Sequence, residues 1–428
     1  MKTYILKLIK MLKTNFPDTV LGFAKWISLG AVMGAVIGLI GTGFHHCVEY
    51  ATHFREEHSF IIWFLPIAGL AIVSFYSAVG YKNDRGTNLV LLAVRDNEKM
   101  GFNHTLSIFV STIITHLFGG SSGREGAALQ IGGSIGSQLG RTFRLDEDDK
   151  RILTMCGMSA AFAALFNTPV AAAFFAMEVI SVGIFHYSAI VACVISAVVA
   201  DGISKSFGSA PFSADVVFPE GNAEVYIKIL LLIVLCSLLS IFFCISMGAV
   251  SISYKKIKNS YIRAALGGLI VALLTFVVGT YDYNGAGSGV IERAFTEPAN
   301  PEAFILKIAF TALTLCAGFK GGEIVPVFFV GATFGSFFAD IAGLEYSLGA
   351  AIGMIALFCG VTNCPIASML LSIELFGSEG VVFFAIACAV SYVLSGYRGL
   401  YSEQTILYSK TKTRFINQKI GDKKHQSE

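Results

Sequence analysis

A charged pair, Arg124 and Glu125, stands inside a glycine-rich segment, residues 119–140, which reads GGSSGREGAALQIGGSIGSQLG. The flanking sequence is strongly apolar, and one charged side chain at the centre of a membrane helix costs about 2.5–3.5 kcal/mol on insertion scales. A carboxylate retained there is expected to be functional. Glycines leave backbone N–H groups open, and the positive end of the following helix faces them. The segment therefore predicts an anion site with a built-in anion, Glu125; a purely structural ion pair with Arg124 is the alternative.

The elements that position this segment are those of an all-α polytopic membrane protein. Of the 428 residues, 54% are hydrophobic and only 14% are charged, with a mean hydropathy of +0.69. Soluble domains contain about 25% charged residues. Ten apolar stretches are long enough to be spanning candidates, at about 23–44, 59–80, 105–118, 151–166, 186–203, 226–250, 264–281, 301–317, 346–361 and 380–396.

Shorter or glycine-interrupted apolar pieces lie between these spans, at 87–95, 126–140, 169–183, 326–341 and 365–377. Broken helices at membrane depth are tolerated only where their backbone is buried in protein or lines an aqueous cavity. We therefore expect broken, tilted helices rather than a simple bundle.

Several function classes are excluded by what the sequence lacks. The net charge is +2 and no basic patch with interleaved aromatic residues occurs, so no nucleic-acid partner is expected. The nine cysteines are scattered singly in apolar stretches, which is typical of small buried side chains rather than of disulfides or metal ligands. His45-His46 does not form the H-E-x-x-H motif, and no nucleophile or phosphate-loop motif is present. We expect no enzyme activity, no metal and no cofactor.

The distribution of lysine and arginine predicts the orientation. Basic segments occur at residues 2–13, 255–263 and 410–424, and we place them in the cytoplasm with both termini. We divide the chain into a cytoplasmic amphipathic N-terminal helix (1–22), a first membrane repeat (23–205), a linker (206–225), a second membrane repeat (226–400), and a C-terminal cytoplasmic helix with a polar tail (401–428). The tail after residue 414 is expected to be disordered.

The two halves of the chain resemble each other. Gly157-Met158, the N-x-P motif at 167–169 and Glu178 recur 196 residues later, as Gly353-Met354, residues 363–365 and Glu374. In addition, three glycines recur 199 residues later: Gly123, Gly132 and Gly136 match Gly322, Gly331 and Gly335. Duplicated halves with paired broken helices indicate a transporter in which the substrate lies near the midplane, where half-helix N-termini converge. Glu178 and Glu374 are interpreted as buried caps, with Glu178 a weaker candidate for a proton path.

Four motifs in order resemble the CLC family of anion channels and anion/proton antiporters, over about residues 20–405. Residues 123–127 (GREGA) resemble the family signature G-[KR]-E-G-P, with Ala127 in place of proline. Residues 86–90 (GTNLV) stand where the family has G-S-G-I-P, and 322–326 (GEIVP) where it has G-x-F-x-P. Residues 396–401 resemble the segment that ends in the anion-contacting tyrosine, which maps onto Tyr401. The resemblance implies a CLC-type inverted repeat of two halves and a homodimer.

The departures from the common pattern resemble the CLC-F branch, the bacterial fluoride/proton antiporters. That branch has G-M-N-L or G-N-N-L in the first motif and an acid in the third, as Glu323 is here. Chloride/proton exchangers carry an internal proton-transfer glutamate ten residues after the proline of N-x-P, whereas this chain has Val179. The resemblance implies proton-coupled fluoride export across a bacterial inner (plasma) membrane, with chloride/proton antiport or chloride channelling as the alternative.

The expected site contains two acids with different roles. Glu125 is the external gate: ionised, it binds where the anion binds, and protonated, it admits an anion. Glu323 would repel an anion when ionised but becomes a strong O–H donor when protonated; alternatively, it only caps a helix. The remaining residues expected to bind the anion are Thr87, Asn88, Gly126, Ile324, Val325 and Tyr401. For Thr87 and Asn88 the alternative is ordinary helix capping, and for Tyr401 it is anchoring at the membrane interface. Phe328 and Phe329 are candidates to line the pathway.

Overall fold

Helices form almost all of the computed structural model, which describes residues 2–80, 85–210, 212–219 and 222–420, with side chains from residue 19 onward. The first half contains α1 (Lys2–Glu57), a 3-10 turn (Ser59–Phe64) leading into α2 (Leu65–Ala78), α3 (Thr87–Asp96), α4 (Phe102–Leu117), α5 (Glu125–Thr142), α6 (Glu147–Phe166), α7 (Pro169–Glu178) and α8 (Ile190–Ser206). The second half contains α9 (Ala223–Lys255), α10 (Ser260–Val278), α11 (Ser288–Arg293), α12 (Ala303–Ala317), α13 (Ile324–Ala342), α14 (Tyr346–Thr362), α15 (Pro365–Phe376) and α16 (Val381–Leu394). The predicted polytopic helical class is confirmed.

The recurring glycines mark equivalent helix contacts in the two halves. A Cβ atom on Gly132 of α5 would overlap the carbonyl oxygen of Gly157 in α6, and one on Gly353 of α14 would overlap that of Gly331 in α13. Two adjacent helices can approach this closely only where both lack side chains. The same two pairs were matched by the sequence repeat, so the repeat describes a duplicated unit of packing.

The N-x-P motifs end one helix and begin the next. Asn167 follows α6 and Asn363 follows α14, with φ values of 55° and 58°. Asparagine tolerates this left-handed conformation better than most residues. Pro169 and Pro365 then open α7 and α15, where the missing N–H group has no helical partner to lose. The motif thus produces a sharp break without a long loop.

The two halves complete each other at two places. Gly123 and Gly322 form an isolated antiparallel bridge, with both N–O distances 2.7 Å. Farther along, the carboxylate of Glu178 accepts hydrogen bonds from the backbone N–H groups of residues 366 and 367, at 3.1 and 2.8 Å. Glu374 makes the matching pair with residues 170 and 171, at 3.0 and 2.7 Å. The predicted capping role of both acids is confirmed, and each acid caps the helix of the other half.

Two expected boundaries differ from the structure. Helix α1 runs without a break from residue 2 to 57, so the expected boundary at residue 22 falls inside it; the predicted amphipathic surface of 1–18 lies outside the described side chains. The piece 326–341, expected to be too short, belongs to the 19-residue helix α13, one of six described helices or helical segments that are long and apolar enough to span a membrane. Residue 323 and its neighbours extend this helix because the acid precedes it rather than interrupting it.

The expected C-terminal helix is wrong. The described part of 401–428 forms a hairpin of β2 (Thr405–Tyr408) and β3 (Phe415–Lys419), and β2 also pairs in parallel with β1 (Ser181–Val182) just after α7. The physical reason is the composition of TILY and FINQK, rich in β-branched and aromatic residues, together with a free strand partner in the first half. The strand at 415–419 also replaces part of the expected disordered tail; residues 421–428 lie outside the described residues.

Candidate anion site between the two halves

The Glu125 carboxylate lies at the junction of α5 and α13. Its side chain is 2% exposed and its Oε2 accepts a hydrogen bond from the backbone N–H of Arg124 at 2.9 Å. The backbone N–H groups of Glu125 itself and of Val325, in the first turn of α13, also interact with it. By contrast, the Arg124 Nε atom is 3.8 Å from Oε1, which is long for a strong ion pair. The carboxylate therefore occupies the positive end of α13, where an anion is stabilised.

Glu323 directly precedes α13 on the other side of the glycine bridge. Its side chain is half-buried and makes no hydrogen bond that caps the helix. In the repeat, Gly123 is equivalent to Gly322, so Glu323 stands at the position of Arg124 and Ile324 at that of Glu125. The two halves thus present one cation and two acids around one pair of helix N-termini, and the capping alternative for Glu323 has no hydrogen bond in its support.

Thr87 begins α3 and faces the start of α5. A Cβ atom on Gly126 would lie 3.2 Å from the Thr87 hydroxyl oxygen and 2.8 Å from the Cα atom of Gly322. Only a residue without a side chain leaves the backbone N–H groups open at this point. Neither Thr87 nor Asn88 caps α3 with its side chain, since the cap position is Gly86 and no side-chain cap bond is made. The hydroxyl therefore stands among the N-termini of three helices.

Asn88 fastens the C-terminal segment to α3. Its Oδ1 accepts a hydrogen bond from the backbone N–H of Glu403 at 3.0 Å, which leaves the amide N–H groups as its donors. The Glu403 carboxylate lies 2.6 Å from the Lys419 ammonium and 3.3 Å from the Arg95 guanidinium. The hydrogen bond from Lys419, together with Arg95, holds the pKa of Glu403 below its ordinary value, so this cluster stays ionised. The cluster holds the segment that carries Tyr401.

Tyr401 is buried, with 2% of its surface exposed, and its hydroxyl has no hydrogen-bond partner among the described residues. The hydroxyl lies within electrostatic reach of the Glu323 and Glu125 carboxyl groups. A buried hydroxyl without a partner costs about 1–3 kcal/mol. An anion at the helix N-termini would provide the missing acceptor. This burial does not suit the alternative of a tyrosine anchored at the membrane interface.

A cavity of about 680 Å³ leads to Glu125 from one face of the protein. The end of α1 and residues 281–293 form much of its wall, and Arg124, Glu125, Val325 and Phe328 line its inner part. We call it the vestibule. Phe328 thus lines the pathway as expected, whereas Phe329 is fully buried, with its ring centre 4.9 Å from the Lys307 ammonium.

Comparison with known proteins decides the family. Residues 78–396 match the family model described as voltage gated chloride channel. The chain belongs to this family, the CLC proteins. A "chloride/fluoride channel protein" of Pseudomonas syringae pv. tomato is 35% identical over 397 residues, covering 90% of this chain and 88% of the relative. An "H(+)/Cl(-) exchange transporter ClcA" of Vibrio campbellii is 26% identical over 416 residues, covering 88% of each chain.

Solved structures agree with this assignment. The structure titled "Crystal structure of a CLC-type fluoride/proton antiporter" superimposes with a TM-score of 0.86 and 33% identity, over 91% of this chain and 99% of that one. A "slow cyanobacterial Cl-/H+ antiporter" shares the fold, with a TM-score of 0.75 and 20% identity over 86% of this chain and 94% of that one. The resemblance to the CLC family, and within it to the CLC-F branch, is confirmed. The protein is an integral, multi-pass membrane transporter of the CLC type that exchanges anions and protons.

Sequence reasoning missed two buried cations beside the CLC signature loop. Arg55, at the end of α1, is 6% exposed, and its Nη1 has no hydrogen-bond partner among the described residues. Lys307 of α12 is fully buried and donates to the carbonyl oxygens of Tyr283 and Gly285, at 3.2 and 2.8 Å. The available signal was a lysine in an otherwise apolar helix, since a charge within a membrane segment is itself a functional hypothesis. Both cations attract anions into the vestibule.

The inner side of this CLC protein lacks the internal glutamate of chloride/proton exchangers. Val179 is buried, and its carbonyl oxygen accepts a hydrogen bond from Gln404 Nε2 at 2.8 Å. Gln404 is fully buried, and the same nitrogen donates to the carbonyl oxygen of Thr362 at 2.9 Å. A carboxylate side chain is thus replaced at this position by apolar packing and a fixed amide.

Proposed function

We propose that this CLC protein is an antiporter that exports fluoride in exchange for protons. The observation that carries the proposal is the Glu125 carboxylate at the N-terminus of α13, with a second acid, Glu323, immediately before the same helix. The proposal includes a homodimer in the bacterial inner membrane, with a pathway in each subunit. Both termini lie in the cytoplasm, and the vestibule is then the external entrance.

Glu125 acts as gate and proton carrier. As a carboxylate it competes with an incoming anion for the N–H groups of Arg124 and Val325. A proton from the vestibule removes its charge, so its attraction to the helix N-terminus weakens and an anion takes its place. Since the anion enters only when the proton is bound, one side chain couples the two movements.

Glu323 favours fluoride over chloride. Two negative charges 4 Å apart repel each other by roughly 4 kcal/mol at an effective dielectric constant of about 20. Glu323 is therefore protonated when an anion is bound nearby, and it then donates a short O–H hydrogen bond to that anion. Fluoride, small and the best hydrogen-bond acceptor among the halides, gains most from such a donor. The Tyr401 hydroxyl, the Thr87 hydroxyl and the Asn88 amide supply further donors, and the backbone N–H groups at Gly126, Ile324 and Val325 complete the site.

The relatives support fluoride without excluding chloride. The Pseudomonas relative carries both ions in its name, the superimposed antiporter carries fluoride and protons, and the more distant Vibrio relative carries chloride and protons. The residues that distinguish this chain from the common CLC pattern, Thr87 and Glu323, both lie at the proposed site. Chloride/proton exchange on the same fold is the alternative.

Flux measurements in liposomes test the proposal. Purified protein is reconstituted into vesicles loaded with fluoride or with chloride, and efflux is followed with the corresponding ion-selective electrode. We expect fluoride to leave at least tenfold faster than chloride, with protons moving in the opposite direction. Comparable rates for the two ions would place this protein with the chloride exchangers.

A further inference from the structure

Three side chains near the end of α1 form a cluster outside the anion site: His45, His46 and Glu49. At 100° per residue they lie within about 100° of arc on one side of the helix, with Glu49 between the two histidines and one turn farther on. Glu49 Oε2 is 3.6 Å from His45 Nε2 and 3.4 Å from His46 Nδ1. All three candidate ligand atoms lie within 4.8 Å of one another, so they converge on one point.

The separations suit a shared metal ion better than hydrogen bonds. A charge-assisted N–H···O bond between imidazolium and carboxylate measures about 2.7–2.9 Å, well below both contacts of Glu49. Zinc binds nitrogen and carboxylate oxygen at about 2.0–2.2 Å, so that neighbouring ligand atoms of a tetrahedral site lie roughly 3.3–3.6 Å apart. The two measured contacts, 3.6 and 3.4 Å, are edges of that size.

The outer contact of His46 fixes the ring for metal binding. Its Nε2 lies 3.1 Å from the carbonyl oxygen of Phe207, which follows α8. A carbonyl oxygen only accepts, so Nε2 carries the proton, and in the neutral ring the lone pair of Nδ1 faces the Glu49 carboxylate. A lone pair and a carboxylate that face each other repel unless a cation lies between them. Metal-binding histidines ordinarily donate their second N–H to such a partner, which holds the ring in place.

The cluster stands where it can affect transport. His45 and Glu49 both line the vestibule that ends at Arg124 and Glu125. We propose that His45, His46 and Glu49 bind a transition-metal dication of the zinc class, and that the bound ion slows anion passage through the vestibule. The ion provides a fixed double positive charge and an open coordination position, which hold an anion at the entrance. The effect on transport rests on the proposed function, whereas the binding site does not.

Metal binding is measured first on purified protein in mild detergent, with Co²⁺ followed by its visible absorption and Zn²⁺ by calorimetry. We expect one site per chain and the intense absorption of a tetrahedral cobalt complex. His46→Gln and Glu49→Gln should each weaken binding at least tenfold. His53→Gln is the matched control, because His53 lies on the same helix and also lines the vestibule but is outside the cluster. Equal affinity in the parent and His46→Gln would overturn the site.

Flux is measured next, in liposomes with and without saturating Zn²⁺. We expect Zn²⁺ to reduce fluoride efflux at least fivefold in the parent and in His53→Gln, and to have little effect in His46→Gln. Each variant is compared with itself without metal, so a variant that folds less well remains informative. Unchanged flux in the parent at saturating Zn²⁺ would overturn the claimed effect on transport. A protein that carries chloride instead of fluoride would refute the proposed function, but it would leave the detergent measurement valid.

Discussion

Replacement of Glu125 by glutamine removes the charge of the gate and little else. The amide has nearly the shape of the protonated carboxyl group, so the bridge between Gly123 and Gly322 should persist. In the parent, the ionised carboxylate is held by the N–H groups of Arg124, at 2.9 Å, and of Val325. Hydrogen bonds to a charged group contribute roughly 1.5–3 kcal/mol each, and neutral ones about 0.5–1.5 kcal/mol.

Loss of the charge across these two bonds weakens the hold of the gate by about 2–3 kcal/mol, or roughly 30- to 140-fold. An anion should therefore displace the glutamine side chain without help from a proton. We expect Glu125→Gln to pass fluoride without coupled proton movement, the protons per fluoride falling at least tenfold. In the parent, fluoride flux should rise as pH falls, because protonation opens the gate, and this dependence should disappear in the variant.

Simultaneous recordings with a fluoride electrode and a pH-sensitive dye, on vesicles with matched protein content, measure both quantities. Size-exclusion profiles in detergent establish that the variant is folded. Coupled exchange of normal stoichiometry in Glu125→Gln would refute the gate assignment and the mechanism built on it.

Three further predictions concern the second acid, the caps and the assembly. Glu323→Gln keeps a donor but replaces a strong O–H bond with a weaker amide bond, so fluoride flux should fall roughly five- to tenfold in a normally folded protein; unaltered flux would argue against its role. Glu178→Gln should leave coupling within about twofold of the parent while lowering thermal stability by about 1–2 kcal/mol, since it caps α15, and Glu374→Gln should match it. The protein should cross-link as a homodimer in mild detergent, through the apolar faces of 186–203 and 380–396, and mass photometry that detects only monomers would contradict this.

Much of the fold could be predicted because its breaks depend on residues with distinctive backbone behaviour. Asn167 and Asn363 end their helices in the left-handed region, and the prolines two residues later start the next ones. Glycines at close helix contacts and acids at buried helix ends likewise leave little freedom of residue type. Their constant spacing in the two halves therefore carried information about structure before any coordinates were known.

The parts that could not be predicted depend on partners distant in the chain. The strand at Thr405 forms against β1, more than 200 residues earlier, and nothing local distinguishes its short apolar run from a helix. The bond between Asn88 and Glu403 joins residues 315 positions apart. Lys307 and Arg55 acquire their meaning only from the loop at Gly285 that they share with the vestibule. Sequence spacing gives no distance between such residues.

The exchanged caps also constrain the order in which the protein can be made. While the chain is being synthesised and inserted, Glu178 enters the membrane long before residues 366 and 367, its only hydrogen-bond donors among the described residues, leave the ribosome. A buried carboxylate without partners is costly, so the end of α7 must stay hydrated or protonated until the second half arrives. Insertion of the first half is then reversible in its central part, and α15 closes it. The two halves behave as a pair of subunits joined by a linker, and their association is the step that commits the chain to its folded state.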